Sequence, residues 1–188
     1  AARYGGDPSR LVLAGESAGA NLVTALTIAT CQRRAEPWAR ALFDRGHVPR
    51  ATVPACGLLQ VSDPQRFSRG ERPVSWFIHD RFMEVYDAYL GADFRAGDPA
   101  WELADPLCVL ERDDALERPL PPFFVPCGTA DPLLADTRRL ARALARRGVV
   151  HEAPEYEGEL HAFHALMFRP NARRCWSDTY RFLERTLA

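Results

Sequence analysis

A chain of 188 residues with this pattern predicts an α/β fold built on a parallel sheet of about four strands flanked by helices. Three observations carry that expectation. Short apolar runs alternate with longer amphipathic segments. The apolar runs are continuous, as in strands buried on both faces. Glycine and proline punctuate the joins between them.

Taken in order, Leu11-Val12-Leu13-Ala14 reads as the first strand, entered from the turn Gly5-Gly6-Asp7-Pro8. A helix follows from Ala18 to Cys31, with Leu22, Leu26 and Ala29 on one face. After an Arg- and Pro-bearing connection, Val53 to Leu59 forms the second strand within the segment 51–61, with Pro54 near its start. From 62 to 119 the pattern is irregular and aromatic. It holds one clear helix, Val74 to Leu90, with Ile78, Phe82, Val85 and Tyr89 at helical spacing. Phe123-Phe124-Val125 is the third strand, ending at Cys127-Gly128. Leu133 to Arg147 is a helix with Leu133, Leu140 and Leu144 inward and Gly148 as its stop. Val149 to Tyr156 is the fourth strand. A last helix, Ala172 to Leu187, sets Trp176, Tyr180, Leu183 and Leu187 on one stripe. Four strands make a thin parallel sheet with an exposed first edge. The chain also opens on what resembles a helix tail, so sequence upstream of Ala1 is expected.

Composition narrows the function. The chain is 47% hydrophobic and 26% charged, enough to build a core. Its 24 basic residues, all Arg, offset 25 acidic ones to a net −1, which argues against nucleic acid bound through bulk charge. Five scattered cysteines without a Cys-x-x-Cys pair suggest reduced thiols in a cytoplasmic setting. They also offer no metal-ligand spacing. Between Leu11 and Gln32 only Glu16 is charged, yet Asn21, three threonines, a serine and two glycines make a membrane span a poor reading. No cationic segment followed by an apolar run opens the chain.

The chemistry concentrates at Gly15-Glu16-Ser17-Ala18-Gly19, a G-x-S-x-G nucleophile elbow between a strand and a helix. A sharp turn lifts the Ser17 hydroxyl clear of the sheet, and the flanking glycines keep Cβ atoms out of crowded backbone. The N–H of Ala18, at the helix start, is aimed at a developing oxyanion. Such a serine needs a base and an orienter, which on this kind of sheet follow in the order serine, acid, histidine. Asp131 lies just past the third strand; its competing role is to cap the helix that follows. Asp136, five residues on, reads as a solvated charge. His161 and His164 both fall in the loop after the fourth strand, and either is a candidate base.

The segments Y-G-G-D-P-S-R-L-V-L-A-G-E-S-A-G-A-N-L, P-L-P-P-F-F-V-P-C-G-T-A-D-P-L-L-A-D and E-G-E-L-H-A-F-H resemble the hormone-sensitive-lipase-like esterases, a branch of the alpha/beta-hydrolase family. The likeness runs along nearly the whole chain and corresponds to the C-terminal portion of that fold. It implies Ser17 as nucleophile, Asp131 as orienter and His161 as base. His161-Ala162-Phe163 stands where the family has His-Gly-Phe. The family's upstream His-Gly-Gly-Gly oxyanion loop is not found here. The resemblance also implies a hydrolase core at 1–61 and 120–188 with a cap at 62–119, and a pocket for small to medium acyl or aryl esters. Glu16, Trp76, Phe82 and Phe163 are the expected substrate contacts. No cofactor and no metal are implied. An amidase or formamidase on the same scaffold, or a noncatalytic ligand-binding relative, are the alternatives.

Overall fold

The computed structural model describes residues 2–69, 74–112 and 114–188. Its elements in chain order are β1 (Val12–Glu16), α1 (Ala18–Cys31), α2 (Pro37–Asp44), β2 (Ala51–Ala55), α3 (Arg66–Arg69), α4 (Trp76–Leu90) and α5 (Pro106–Glu111). Then come β3 (Phe123–Phe124), β4 (Cys127–Gly128), α6 (Leu134–Arg146), β5 (His151–Glu152), β6 (Glu155–Tyr156) and α7 (Pro170–Leu187).

The sheet is parallel throughout, in the order β1-β2-β3-β5, with β4 paired to β6. The third and fourth strands, each expected as one run, divide at Pro126 and Pro154. Neither residue has an N–H to give to the ladder. The pairing nonetheless bridges the breaks: Val125 N donates to Glu152 O at 2.8 Å, and Cys127 N to Pro154 O at 3.2 Å. Strands and crossover helices thus form the α/β arrangement that the alternating pattern predicts.

Packing departs from the expected helix faces in three places. On α1, Leu22 is 50% exposed, while Ala20, Ala25, Ile28 and Ala29 enter the core. Small residues let α1 approach the sheet closely. Its threonines are buried because they bond locally: Thr24 and Thr27 hydroxyls donate to the carbonyls of Ala20 and Val23, and Thr27 also meets Thr52 at 2.8 Å. On α4 the inward side is Phe82, Tyr86 and Leu90, and Val85 and Tyr89 face outward. On α7 the buried stripe is Ala172, Cys175, Thr179 and Phe182. The stripe read from sequence lies next to it. Trp176, Tyr180 and Leu183 of that stripe line an apolar groove of about 310 Å³ beside β1 and β2.

The stretch 62–119, whose residues 70–73 and 113 lie outside the described residues, divides between two clusters. Phe67, Leu90 and Ala104 pack with Leu58, Val61 and Leu133. Leu103, Leu107, Val109 and Leu110 join the main core with Ile28, Phe123, Leu140 and Leu144. All five cysteines are unpaired. Among the described residues no helix is long and apolar enough to cross a membrane.

Candidate active site

The site sits at the C-terminal end of the sheet, where open α/β sheets present their functional loops. β1 ends at Glu16, and Ser17 turns the chain into α1 with φ 56 and ψ −114, outside the conformations an L-residue prefers. The first glycine of the elbow makes this turn possible. A Cβ on Gly15 would lie 2.2 Å from the carbonyl oxygen of Gly19. The second glycine has no such duty, since a Cβ on Gly19 meets nothing within 4 Å, contrary to the expectation that both relieve crowding. The turn is pinned on both sides: Ser17 N donates to Ala55 O at 3.0 Å, and Ser17 O receives Ala20 N at 3.1 Å. Ala18 is the first residue of α1, so its N–H has no partner within the helix.

The acid comes from the loop between β4 and α6. Asp131 is 5% exposed and divides its two oxygens between two partners; it does not cap α6, whose N-cap is Leu133 without a side-chain bond. Its Oδ1 accepts Leu133 N at 2.7 Å, shaping the approach to α6. Its Oδ2 accepts His161 Nδ1 at 2.9 Å. That bond sets the tautomer of His161, whose Nε2 then accepts the Ser17 hydroxyl at 3.0 Å. The Asp131 hydrogen bond is the main cause that raises the His161 pKa above its ordinary 6.5; burial opposes it, and the charges of Asp131 and Glu16 add to it.

The acid and histidine loops are held against each other. Gly128 allows this, because a Cβ there would lie 2.1 Å from Glu159 O. Ala130 N donates to that same carbonyl at 3.0 Å, and Gly158 N donates to the Thr129 hydroxyl at 2.8 Å. Glu159, 3% exposed, has its carboxylate held by Arg169 at 2.7 Å and Asn171 at 3.0 Å. Sequence reasoning passed over Glu159; its only signal was an acidic residue two positions before the histidine. It also passed over Asn21, whose amide donates to Leu58 O at 3.0 Å and Ala104 O at 2.9 Å, tying the elbow helix to the chain returning from 62–119.

Other expected residues fall elsewhere. The bonds to Ser17 and Asp131 are made by His161 and not by His164, whose ring stands edge-on to Phe163 and Trp176. Phe163, expected to touch substrate, is 1% exposed and packs on Tyr156 at 5.0 Å between ring centres, so it is a core residue that supports the loop. Phe82 stacks on Phe67 at 4.2 Å, and Trp76 stands 79% exposed against Phe77. Neither ring is packed on the triad. Glu16 lies beside it, with Oε1 3.2 Å from His161 Nε2. Asp136 is not a solvated charge. It is fully buried, receives Leu59 N at 2.9 Å, and is paired with Arg66 at 2.6 Å.

Cys56 Sγ, an Asp131 oxygen and a His161 ring nitrogen lie within 4.8 Å of one another. They fit a metal poorly as a donor set. Asp131 and His161 bond each other, and the neighbouring Cys127 thiol together with burial pushes the Cys56 thiol far above its ordinary range. The arrangement is suited to lifting a proton from the serine hydroxyl.

The family model described as alpha/beta hydrolase fold matches residues 1–165. Among curated proteins none matches the chain. Several solved structures are similar. An esterase/lipase from an uncultured bacterium superposes with a TM-score of 0.71 at 20% identity, covering 99% of this chain and 56% of that one. An esterase from the bacterial hormone-sensitive lipase family gives 0.71 at 23%, covering 100% and 57%. Esterase B from Lactobacillus Rhamnosis gives 0.66 at 15%, covering 96% and 54%. The chain thus spans little more than half the length of these structures. With a parallel sheet, a serine at a sharp strand-to-helix turn, and a family match over most of its length, the chain belongs to the alpha/beta hydrolase fold family.

Proposed function

We propose that the whole protein is a serine carboxylic ester hydrolase of the hormone-sensitive-lipase type, acting on small to medium acyl or aryl esters. The observation that carries this reading is the continuous relay from Ser17 Oγ through His161 to Asp131, at 3.0 and 2.9 Å. Ser17 Oγ adds to the ester carbonyl while His161 Nε2 takes its proton. Asp131 keeps Nδ1 protonated and steadies the imidazolium. Collapse of the tetrahedral intermediate breaks the C–O bond, and the leaving alcohol departs with the proton from Nε2. Water, deprotonated by the same nitrogen, then releases the acid from the acyl-enzyme. The Ala18 N–H serves as one oxyanion donor. The stretch 62–119 forms a cap between the core segments 1–61 and 120–188 and walls the acyl side, anchored to the main core through Leu103, Leu107, Val109 and Leu110.

Hydrolysis of p-nitrophenyl acetate and butyrate, set beside matched anilides, tests the reaction class. The esterase reading expects ester turnover that disappears in Ser17→Ala. Turnover surviving that substitution refutes the nucleophile, and faster anilide cleavage moves the reading to an amidase.

A further inference from the structure

We infer that Glu16 is a positioning residue for His161, an electrostatic partner that favours the protonated ring, rather than a substrate contact. The inference rests on the proposed roles of Ser17 and His161. Glu16 ends β1, one residue before the nucleophile. Its Oε1 lies 3.2 Å from His161 Nε2, the nitrogen that Ser17 Oγ approaches at 3.0 Å. Although 38% of the Glu16 side chain is open, Oε1 itself is sealed from solvent and accepts no hydrogen bond.

The geometry makes this carboxylate sensitive to one proton. With Nδ1–H committed to Asp131, neutral His161 presents a lone pair at Nε2. It can receive the Ser17 hydroxyl but has nothing to offer Glu16, so two acceptors face each other. Once the proton of Ser17 reaches Nε2, the same approach becomes an attraction between imidazolium and carboxylate. Glu16 thus gains most when the tetrahedral intermediate forms, the stage at which stabilisation accelerates the reaction. It also favours the protonated resting enzyme, which moves the acid limb of activity to higher pH. The ionisable neighbours of the ring are Asp131 from the β4–α6 loop, Glu16 from β1 and the Cys56 thiol after β2. Asp131 is committed to Nδ1 and Leu133 N, and Cys56 is held protonated, which leaves Glu16 as the charge that acts at Nε2.

The test is the titration of the His161 ring by NMR in the wild type, Glu16→Gln and Glu16→Ala, with the resonance assigned by its loss in His161→Gln. It is paired with the pH profile of kcat/KM for p-nitrophenyl butyrate. Both Glu16 variants are expected to lower the ring pKa by about half a unit, the size of a partly exposed ion pair. The acid limb should move down by the same amount, and the plateau rate should fall about threefold. An unchanged or raised ring pKa in both variants overturns the proposal. A lowered ring pKa in a protein that hydrolyses no ester keeps the Glu16–His161 coupling and removes the esterase reading, so the two failures are distinguishable.

Discussion

Removing the Asp136 carboxylate should cost the fold more than any other single truncation of a charge in this chain. Asp136 is 0% exposed and sits five residues past Asp131, in the first turn of α6. Arg66 reaches it with two nitrogens, at 2.6 and 3.3 Å, and Leu59 N donates to it at 2.9 Å. Among the described residues, Asp136→Ala leaves the Arg66 guanidinium with the Asp63 carbonyl and the face of the Phe67 ring, and strands the Leu59 N–H in the interior. Loss of one partner of a largely buried pair typically costs about 3–5 kcal/mol, because the other charge stays desolvated. The orphaned amide accounts for about 1–3 kcal/mol within that figure. Set against a stability of roughly 5–15 kcal/mol, this is about a fifth of the total or more. Urea unfolding followed by tryptophan fluorescence measures it. The midpoint should fall steeply with little change in slope. Adding Arg66→Met should cost less in the Asp136→Ala background than in the wild type, since the cation is then already unpaired. A cost for Asp136→Ala below about 1 kcal/mol, or strict additivity, would refute the reasoning.

Ala162 holds a left-handed conformation, φ 57 and ψ 22, directly after the histidine. Ala162→Gly should raise stability by about 0.5–1 kcal/mol, the relieved strain less the added chain entropy, or about 2 °C in Tm. A lowered Tm would show that the methyl group makes compensating contacts. Because the His161 pKa is raised and the base must be neutral, kcat/KM for p-nitrophenyl butyrate should reach half its plateau above pH 6.5, with Asp131→Asn moving that point down and cutting the rate on the order of 10³-fold or more. The sign for folding is the reverse. The His161 contribution is full below pH 6.5 and is lost as pH rises through the raised value, which a stability series against pH in wild type and His161→Gln checks.

What the sequence disclosed and what it hid have physical reasons. Gly15 and Ser17 were legible because a turn this tight tolerates few residues, and the same crowding is visible as the 2.2 Å approach to Gly19 O. The strand–helix alternation was legible because burial of a parallel sheet on two faces demands unbroken apolar runs. Helix faces were less so. α1 buries nearly its whole circumference, and small residues and self-bonded threonines carry the contact that larger side chains were expected to make. On α7 two adjoining stripes are both apolar, and only the position of the sheet decides which is covered. Asp136 looked like a surface charge because its partners, Leu59 and Arg66, lie 77 and 70 residues away. Phe163 looked like a pocket wall because it lies two residues after His161, but its ring turns into the core beside Tyr156.

The convergence of residues 17, 131 and 161 is tested most directly by a fluorophosphonate, which reacts with a serine only when an aligned base activates it. Intact-mass and peptide analysis should find one adduct, on Ser17, absent in Ser17→Ala and suppressed by orders of magnitude in His161→Gln. An adduct on another residue, or labelling of Ser17 that proceeds equally well without the imidazole, would contradict the account.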